Sequence, residues 1–264
     1  MFTVHTLSSG SEGNSTLFSA DGTHLLIDAG ISARRIKTAL AQLGLGADDL
    51  AGILITHEHS DHICGLQTLL KHHRVPLYAN AATARQITYR VAGAAPLLHN
   101  IESGQDCAIG TCRITAFATS HDTAASQDYR IDTVCGAAGI LTDTGYVTDE
   151  ARSALRGVNL LVLESNHDIE MLQEGPYPYP LKQRILSDFG HLSNDAAAAF
   201  AVEMAQCGTT EIVLAHLSKE NNTPAQAEHT VQRALRAAGL SPRLGVAPRK
   251  ELHRYQVEVS VCKR

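Results

Sequence analysis

The chain has 264 residues, of which 44% are hydrophobic and 19% are charged, and its formal net charge is −5. This composition is typical of a soluble globular protein and excludes a disordered chain. The negative net charge excludes a basic surface all around the protein that would wrap nucleic acid, although a few Lys and Arg residues could still form a basic rim around one cleft. The N-terminus lacks a signal-peptide pattern, no apolar run is long enough to span a bilayer, and the six cysteines form no CxxC pair, so we expect a cytoplasmic protein with reduced thiols and no membrane contact.

Strands and helices alternate through the first half of the chain, according to the spacing of apolar residues and of the glycines and prolines between them. Apolar runs predict strands at Phe2–Leu7, Thr16–Phe18, His24–Gly30, Leu50–His57 and Pro76–Ala79. Helical periodicity predicts helices at Ser32–Leu43, Ile63–His73 and Ala81–Ala92. A meander of short strands is predicted from His99 to His121.

The second half repeats this alternation. Strands are predicted at Ala137–Thr142, Asn159–Glu164, Glu211–Ala215 and in the tail ELHRYQVEV, and helices at Asp149–Leu155, Asp195–Gln206 and Thr223–Ala238. The stretch from Asp168 to Ser193 is predicted to be irregular, and a loop of this length is typical of a functional segment or a lid. No linker divides the chain, so we expect one strand-rich α/β domain over residues 1–264.

The strongest chemical signal is the sequence HEHSDH at the end of the predicted strand Leu50–His57. It places His57, His59, Asp61 and His62 within six residues. Residues two positions apart on a turning chain can converge on one ion, and the next pair can face a second ion nearby. Imidazole suits Zn, Fe and Mn, and carboxylate oxygen adds a harder ligand, so the motif predicts a metal site rather than a solvated polar turn.

Three further ligand-type residues stand where later strands are predicted to stop. They are His121, Asp143 and His216. Because open α/β sheets gather their sites at the carboxyl ends of strands, we expect these side chains to join the HEHSDH motif. Taken alone, each would equally fit a structural histidine or a turn aspartate.

Together these motifs resemble the metallo-β-lactamase superfamily, over a span from Asp28 to His216. The resemblance implies an αββα sandwich with two divalent metal ions. By position in the family pattern, the ligands would be His57, His59 and His121 for one metal, Asp61, His62 and His216 for the other, and Asp143 as the bridge. Asp28 would orient ligands without binding metal. A metal-bridging hydroxide, oriented in part by Asp61, would be the nucleophile.

The resemblance also narrows the substrate. β-Lactam hydrolysis is not expected, because the best-known β-lactamases carry cysteine at the position of Asp143 and are exported. The segment GHLSN resembles one in tRNase Z and related phosphodiesterases, whose histidine, here His191, would contact the scissile phosphate or protonate the leaving oxygen. The alternative is a histidine that merely neighbours a helix cap at Ser193 or Asn194. The motif spacing leaves no room for the tRNase Z exosite arm or for the extra domain of β-CASP nucleases.

Longer stretches resemble the YycJ/WalJ group, which is associated with 5′-to-3′ DNA exonuclease activity. They are SSGSEGNS, TDTG, LESNHD and YPLKQRILSDFGHLSN. The resemblance implies a metal-dependent phosphodiesterase acting on DNA, and we favour Mn²⁺ over Zn²⁺. The alternatives are a small-molecule hydrolase for a cyclic phosphodiester or thioester, and a metal-binding protein without turnover. A basic lip beside an open cleft would favour a polymer, whereas a closed apolar pocket would favour a small molecule.

Polar residues of these stretches are candidate contacts to the substrate. Glu164 would hold His191 in a useful tautomer and belongs with Asp61 and His191 to the candidate catalytic set. The residues expected to meet DNA are Ser9, Asn14, Asn166, His167, Lys182, Arg184 and Lys219. Tyr177 and Tyr179 are available to stack on bases. The alternatives are an ordinary glycine-serine turn around Ser9 and an ordinary solvated helix face around Lys182. No protein partner is indicated.

Overall fold

Two β-sheets pack face to face in the computed structural model, which describes residues 1–257. The first sheet contains β1 (Phe2–Ser8), β2 (Ser15–Ala20), β3 (Thr23–Ile27), β4 (Gly52–Leu54), β5 (Leu77–Ala79), β6 (Leu98–Asn100) and β14 (His253–Val257), in the spatial order β14-β1-β2-β3-β4-β5-β6. The second contains β7 (Asp106–Ile109), β8 (Cys112–Ala118), β9 (Gln127–Thr133), β10 (Gly136–Leu141), β11 (Leu160–Glu164), β12 (Glu211–Ala215) and β13 (Arg243–Val246), in the order β13-β12-β11-β10-β9-β8-β7.

Helices cover the outer faces of this sandwich. They are α1 (Ala33–Gln42), α2 (Ser60–Ile63), α3 (Leu66–Leu69), α4 (Ala81–Arg90), α5 (Asp149–Leu155), α6 (Ile169–Glu174), α7 (Tyr179–Ile185), α8 (Asn194–Gln206) and α9 (Pro224–Ala237). Several begin at a side chain that accepts a hydrogen bond from the first helical turn, as Ser32 does for α1 and Ser193 does for α8. Among residues 1–257, every helix is too short or too polar to cross a membrane.

Three apolar layers hold these elements together. The layer between the sheets includes Phe2, Phe18 and Tyr129. A second layer joins the first sheet to α1, α3 and α4, and a third joins the second sheet to α5, α8 and α9. A buried side chain such as Leu or Phe contributes about 1.5–3 kcal/mol when it leaves water, so these layers dominate the stability of the sandwich. The αββα architecture predicted from the sequence is confirmed.

Two predicted segments are wrong. The single helix Ile63–His73 is two short helices, α2 and α3, because the chain between them packs tightly: Gly65 N–H donates to Ala29 O at 2.8 Å, and a side chain at Gly65 would collide with Ile31 O. The irregular stretch Asp168–Ser193 contains α6 and α7. Asp168 caps α6 by accepting a hydrogen bond from Met171 N at 3.0 Å, a signal for a helix start that the sequence did contain.

Two strands were not predicted, and one prediction extends beyond the described residues. β9 carries Gln127, Asp128 and Arg130, whose polarity hides the strand pattern, although Asp128 is buried as an acceptor for Thr142 N–H at 2.7 Å. β13 is a short edge strand. The predicted tail strand is confirmed at His253–Val257, and its last two residues lie outside the described residues.

The chain after β3 fixes the position of the HEHSDH loop through backbone contacts. Ala29 N–H donates to His62 O at 2.8 Å, Gly30 N–H donates to Asn14 O at 2.8 Å, and Asn14 N–H donates to Asp61 O at 2.8 Å. At Gly30 this approach is so close that a Cβ atom would overlap the carbonyl group of Asp61. Glycine is therefore required where the two loops cross.

We predict that Gly30→Ala destabilises the protein and displaces the HEHSDH loop. The added methyl group must push Asp61 aside, and overpacking of this kind costs about 1–3 kcal/mol. Urea unfolding followed by circular dichroism measures the change. Gly46→Ala is the matched control, because a Cβ atom there meets Asp49 Oδ2 at an ordinary 3.6 Å. Equal unfolding midpoints for Gly30→Ala and the wild type would contradict the prediction.

Candidate metal centre

Three of the residues predicted to form the site stand at sharp turns of the backbone just after strands. Asp28 follows β3, Asp143 follows β10 and His216 follows β12, and their φ angles are 59°, 52° and 55°. Residues other than glycine seldom adopt positive φ, and such strain persists where the surrounding structure overdetermines it. These turns bring the three side chains to one end of the sandwich, where the parallel strands of both sheets stop.

His57, His59 and His121 form the first group of ligand-type side chains. One nitrogen of each lies within 4.8 Å of one nitrogen of the others, and the ring centres are 4.7 to 5.2 Å apart. His121 donates from Nδ1 to Gly190 O at 3.1 Å, which leaves its Nε2 free. Nδ1 of His57 lies 3.0 Å from Thr56 Oγ1. His57 and His121 are thus held through their Nδ1 atoms, as is usual for histidines that bind metal.

Asp61, His62 and His216 form the second group, again with ligand atoms within 4.8 Å of one another. His62 donates from Nδ1 to Asp28 Oδ2 at 2.7 Å, and Asp28 also accepts hydrogen bonds from Thr56 N–H and Oγ1–H, each at 2.9 Å. The structure therefore places Asp28 behind His62, where it fixes the tautomer of that ring.

Asp143 lies between the two groups. Its Oδ2 atom is 3.0 Å from His62 Nε2, and its Oδ1 atom is 3.2 Å from His216 Nδ1 and 3.8 Å from His121 Nε2. The carboxylate also falls within ligand distance of His57. It is 3% exposed, so its position is fixed by packing on all sides.

The buried charges alter the protonation of this cluster. Burial opposes a charge on His62, but the carboxylates of Asp28 and Asp143 outweigh burial and raise the pKa of His62 well above its ordinary value. At His57, burial and then the neighbouring His62 lower the pKa well below its ordinary value. The pKa of Asp143 is lowered, since His216 and His62 outweigh the effect of its burial. The cluster thus combines a neutral His57 and an ionised Asp143 with a protonated His62, which must lose its proton before it can bind a metal.

The cluster fits divalent metal ions. Among the described residues, His57 Nε2 and His216 Nε2 are buried without a hydrogen-bond partner. Such atoms are costly to bury unless something pairs with them. Imidazole and carboxylate together suit divalent ions such as Zn²⁺ and Mn²⁺.

His191 and Glu164 extend the cluster on the side of His216. Glu164 is fully buried, and its Oε1 atom accepts hydrogen bonds from His191 Nδ1 at 2.8 Å and from His216 Nδ1 at 2.9 Å. Its Oε2 atom accepts from the backbone N–H groups of Thr144 and Leu192 at 3.0 and 3.2 Å. Burial raises the pKa of Glu164, but the charge of His191 and these hydrogen bonds outweigh burial and lower it to about 2. Glu164 therefore stays ionised at neutral pH.

Four of the predicted substrate contacts are buried beside the cluster. Ser9 Oγ accepts a hydrogen bond from His216 N–H at 2.8 Å, and Asn166 Nδ2 donates to His216 O at 2.9 Å. Asn14 Nδ2 lies 3.1 Å from His62 Nε2 and 3.4 Å from Asp61 Oδ2. His167 is 1% exposed, and neither of its ring nitrogens has a hydrogen-bond partner among the described residues. Of these four, Asn166 lines an open cleft beside His121 and His191.

The predicted cations lie at the surface and already have partners. Arg184 lines the same cleft, with its Nε 2.5 Å from Asp122 Oδ2. Lys182 donates to Gln173 O at 2.7 Å, and Lys219 lies 3.7 Å from Glu12. Tyr177 lines the cleft, whereas Tyr179 is 72% exposed on α7 and is not among the cleft residues.

The structure adds residues that sequence reasoning missed. Phe189 lines the cleft and is 60% exposed, although its place two residues before His191 was a usable signal. Arg249 and Lys250 lie next to Lys219 and the loop Ser9–Gly13. More than two hundred positions separate them from that loop in the sequence, so only the tertiary structure could reveal the contact.

Comparison with known proteins agrees with this architecture. The family model of the beta-lactamase superfamily domain matches residues 23–217 of this chain. Exodeoxyribonuclease YycJ of Bacillus anthracis is 38% identical over 94% of this chain and 92% of its own length, and exodeoxyribonuclease WalJ of Streptococcus pneumoniae is 40% identical over 90% of each. The crystal structure of the metallo-beta-lactamase fold protein YhfI from Bacillus subtilis covers 97% of this chain and all of its own, with a TM-score of 0.75 at 17% identity, and so shares the fold.

The chain belongs to the metallo-β-lactamase superfamily. It is a metal-dependent hydrolase with its His and Asp cluster at the position where the strands of the two sheets end. The resemblance that the sequence motifs indicated is therefore confirmed, as is its closeness to the YycJ and WalJ proteins.

We predict that metal affinity depends on Asp143 and rises with pH. Asp143→Asn should weaken binding at least about tenfold, because the carboxylate lies within ligand distance of both groups. The raised pKa of His62 means that a metal must displace its proton, so affinity should be lowest in acid and increase as the pH rises. Calorimetric titration with Zn²⁺ or Mn²⁺ at pH 6, 7 and 8 measures both effects.

Asp106→Asn is the control for this titration. It removes an exposed carboxylate on the edge strand β7, which pairs with Arg113 on the neighbouring strand. Its metal affinity should match that of the wild type. Unchanged affinity in Asp143→Asn, or an affinity that falls with rising pH, would contradict the prediction.

Proposed function

We propose that this protein is a dinuclear metal-dependent phosphodiesterase that acts on DNA as a 5′-to-3′ exonuclease. The observation that carries the proposal is the combination of two ligand groups sharing Asp143 with the Glu164–His191 pair at the side of an open cleft. The similarity over about nine tenths of the chain to relatives named exodeoxyribonuclease supports DNA as the substrate.

The two ions would be held by the groups His57–His59–His121 and Asp61–His62–His216, with Asp143 between them. When bound, they would supply a hydroxide nucleophile at neutral pH and neutralise charge that builds up on the phosphate. We favour Mn²⁺ over Zn²⁺. The side chain of Asp61 is 25% exposed, which supports a second role in orienting the attacking oxygen.

His191 is the residue best placed to act on the substrate. Its Nδ1–H group is committed to Glu164, so its Nε2 atom is the nitrogen available to the cleft. The side chain is 20% exposed and lines the cleft together with His121. We assign it contact with the scissile phosphate and protonation of the leaving oxygen. Glu164 is too deeply buried to reach the substrate, and it acts by holding His191 in this tautomer.

The shape of the cleft favours a polymer over a small molecule. Its volume is about 180 Å³, whereas pockets that enclose drug-sized ligands typically measure roughly 300–1,000 Å³. Its walls include Tyr177, Arg184 and Phe189. A chain can lie across this opening, with a cation for its phosphates and aromatic rings for its bases.

Phe189 is presented to solvent by a firmly anchored loop. Ser120 Oγ donates to Asp188 O at 2.7 Å, and His121 donates to Gly190 O at 3.1 Å, so the residues on both sides of Phe189 are tied to the segment that carries His121. A large apolar ring that is 60% exposed contributes little to the core of the fold. We assign it to stacking on a base near the reacting phosphate, a contact worth about 1–3 kcal/mol.

We predict that the Mn²⁺- or Zn²⁺-loaded protein shortens end-labelled DNA from its 5′ end. Gel electrophoresis of 5′- and 3′-labelled single- and double-stranded DNA, with RNA in parallel, shows the substrate and the direction of digestion. His59→Ala should lose at least about 100-fold in rate, because one ligand group is broken. Cleavage of a cyclic phosphodiester or a thioester without cleavage of DNA would refute the proposal and favour a small-molecule hydrolase.

We predict that His191→Ala lowers kcat on DNA by about 10²- to 10⁴-fold while the metal content, measured by mass spectrometry, stays that of the wild type. The reason is that His191 lies at the cleft, donates its Nδ1–H to Glu164 and is not one of the seven ligands predicted from the sequence. Glu164→Gln should reduce kcat less and alter its pH profile, since glutamine can still accept a hydrogen bond from His191. The control is His72→Ala, at an exposed position after α3. Loss of metal from His191→Ala would instead make His191 a ligand.

A further inference from the structure

A second charged feature lies next to the cleft and has no part in holding the two ions. The loop between β1 and β2 carries Glu12 among three cations. Lys250 Nζ is 2.7 Å and Lys219 Nζ is 3.7 Å from the Glu12 carboxylate, and Arg249 is close enough to lower its pKa further. The hydrogen bond from Lys250 is the largest cause of the lowered pKa of Glu12.

These side chains surround a surface depression of about 430 Å³. It is lined by Glu12, Lys219, Arg249 and Lys250 together with Glu251 and apolar residues. Three cations thus face two carboxylates, although the whole chain carries a net charge of −5. The local field is therefore opposite in sign to the overall charge of the protein and attracts anions.

The loop that carries Glu12 is attached at both ends to the metal centre. Ser9 Oγ accepts a hydrogen bond from His216 N–H at 2.8 Å, and Asn14 lies against His62 and Asp61. Within the loop, Gly10 N–H donates to Asn14 Oδ1 at 2.9 Å. The position of Glu12 is consequently defined relative to the predicted ligands.

A small space lined by residues of both lies between the depression and the cleft. Ser11 lines the cleft beside His191 and also lines the space occupied by Lys219, Arg249 and Lys250. Lys219 follows His216 by three residues, and three residues span at most about 11 Å. A strand whose phosphate lies at the metal centre therefore passes within reach of these cations.

The carboxylate of Glu12 occupies the place that an anion would take. The amino groups of Lys219 and Lys250 are on side chains 64% and 66% exposed, and the side chain of Glu12 is 57% exposed. Ion pairs as exposed as these contribute little to stability, so they are readily exchanged for another partner. Arg249, in contrast, is fixed by donating to Ser218 O at 2.6 Å.

We propose that this depression binds a phosphate of the DNA strand next to the one being cleaved, and that Glu12 is an internal competitor which the phosphate displaces. The inference rests on the proposed function and adds a second anion site to it. Lys250 and Lys219 provide the charge for the phosphate, and Glu12 holds them in position while the site is free of substrate. Glu12 therefore lowers the affinity for DNA.

The test compares substitutions that act in opposite directions. Lys250→Ala should raise KM for single-stranded DNA roughly fivefold at 0.1 M salt and reduce the slope of log KM against log salt by about 0.7, the change expected for one lost phosphate contact. Glu12→Gln should lower KM roughly threefold, because it keeps the shape of the side chain and removes the competing charge. Thermal unfolding of each variant shows that it is folded.

Two control variants each remove a charge of the same sign at a position away from the depression. Asp106→Asn removes a carboxylate on β7 that pairs with Arg113 on β8, and Lys71→Ala removes an exposed cation after α3. Both should leave KM for DNA unchanged. If the wild type cleaves DNA but Glu12→Gln weakens binding or leaves KM unchanged, the ion pairs are structural and the inference is wrong. If the wild type cleaves no DNA, the proposed function fails, and this inference fails with it.

Discussion

The Asp143 carboxylate, buried between two groups of histidines, is the interaction on which the rest of the site depends. A carboxylate 3% exposed is tolerated only if positive partners lie beside it, and His62 and His216, whose pKa values are raised, lie 3.0 and 3.2 Å from its oxygens. The backbone at Asp143 accepts a positive φ to reach this position. The fold therefore accepts conformational strain at Asp143 to place one negative charge among the candidate metal ligands.

Two further buried carboxylates keep the histidines in usable tautomers. Asp28 accepts the Nδ1–H of His62, and Glu164 accepts the Nδ1–H groups of both His191 and His216. Each of the three rings thereby directs its Nε2 atom away from its carboxylate. The loop that carries Phe189 is hydrogen-bonded to His121, and the loop that carries Glu12 is hydrogen-bonded to His216. The candidate metal ligands His121 and His216 therefore also position the loops that would contact a substrate.

Much of this arrangement could be predicted from the sequence, because the ligand residues follow apolar strands and the order of the motifs is that of the superfamily. The misjudged segments have identifiable causes. Helical periodicity from Ile63 to His73 cannot show that Gly65 packs against the backbone of Ala29 and Ile31. The polar residues of β9 conceal a strand because Asp128 is satisfied by Thr142, a residue of the neighbouring strand end.

By itself, the sequence determined the alternation of strands and helices and the set of residues able to bind metal, through apolar periodicity and the chemistry of His and Asp at strand ends. The αββα fold and the superfamily were implied by the resemblance of its motifs. Only the tertiary structure decided which groups face each other. It placed Asn14 and Ser9 against the predicted ligands, left Phe189 exposed at the cleft, and brought Arg249 and Lys250 beside Glu12. Arg249 and Lys250 reach Glu12 because β14, which follows them, pairs with β1, and no local pattern encodes a contact between segments so far apart in the chain.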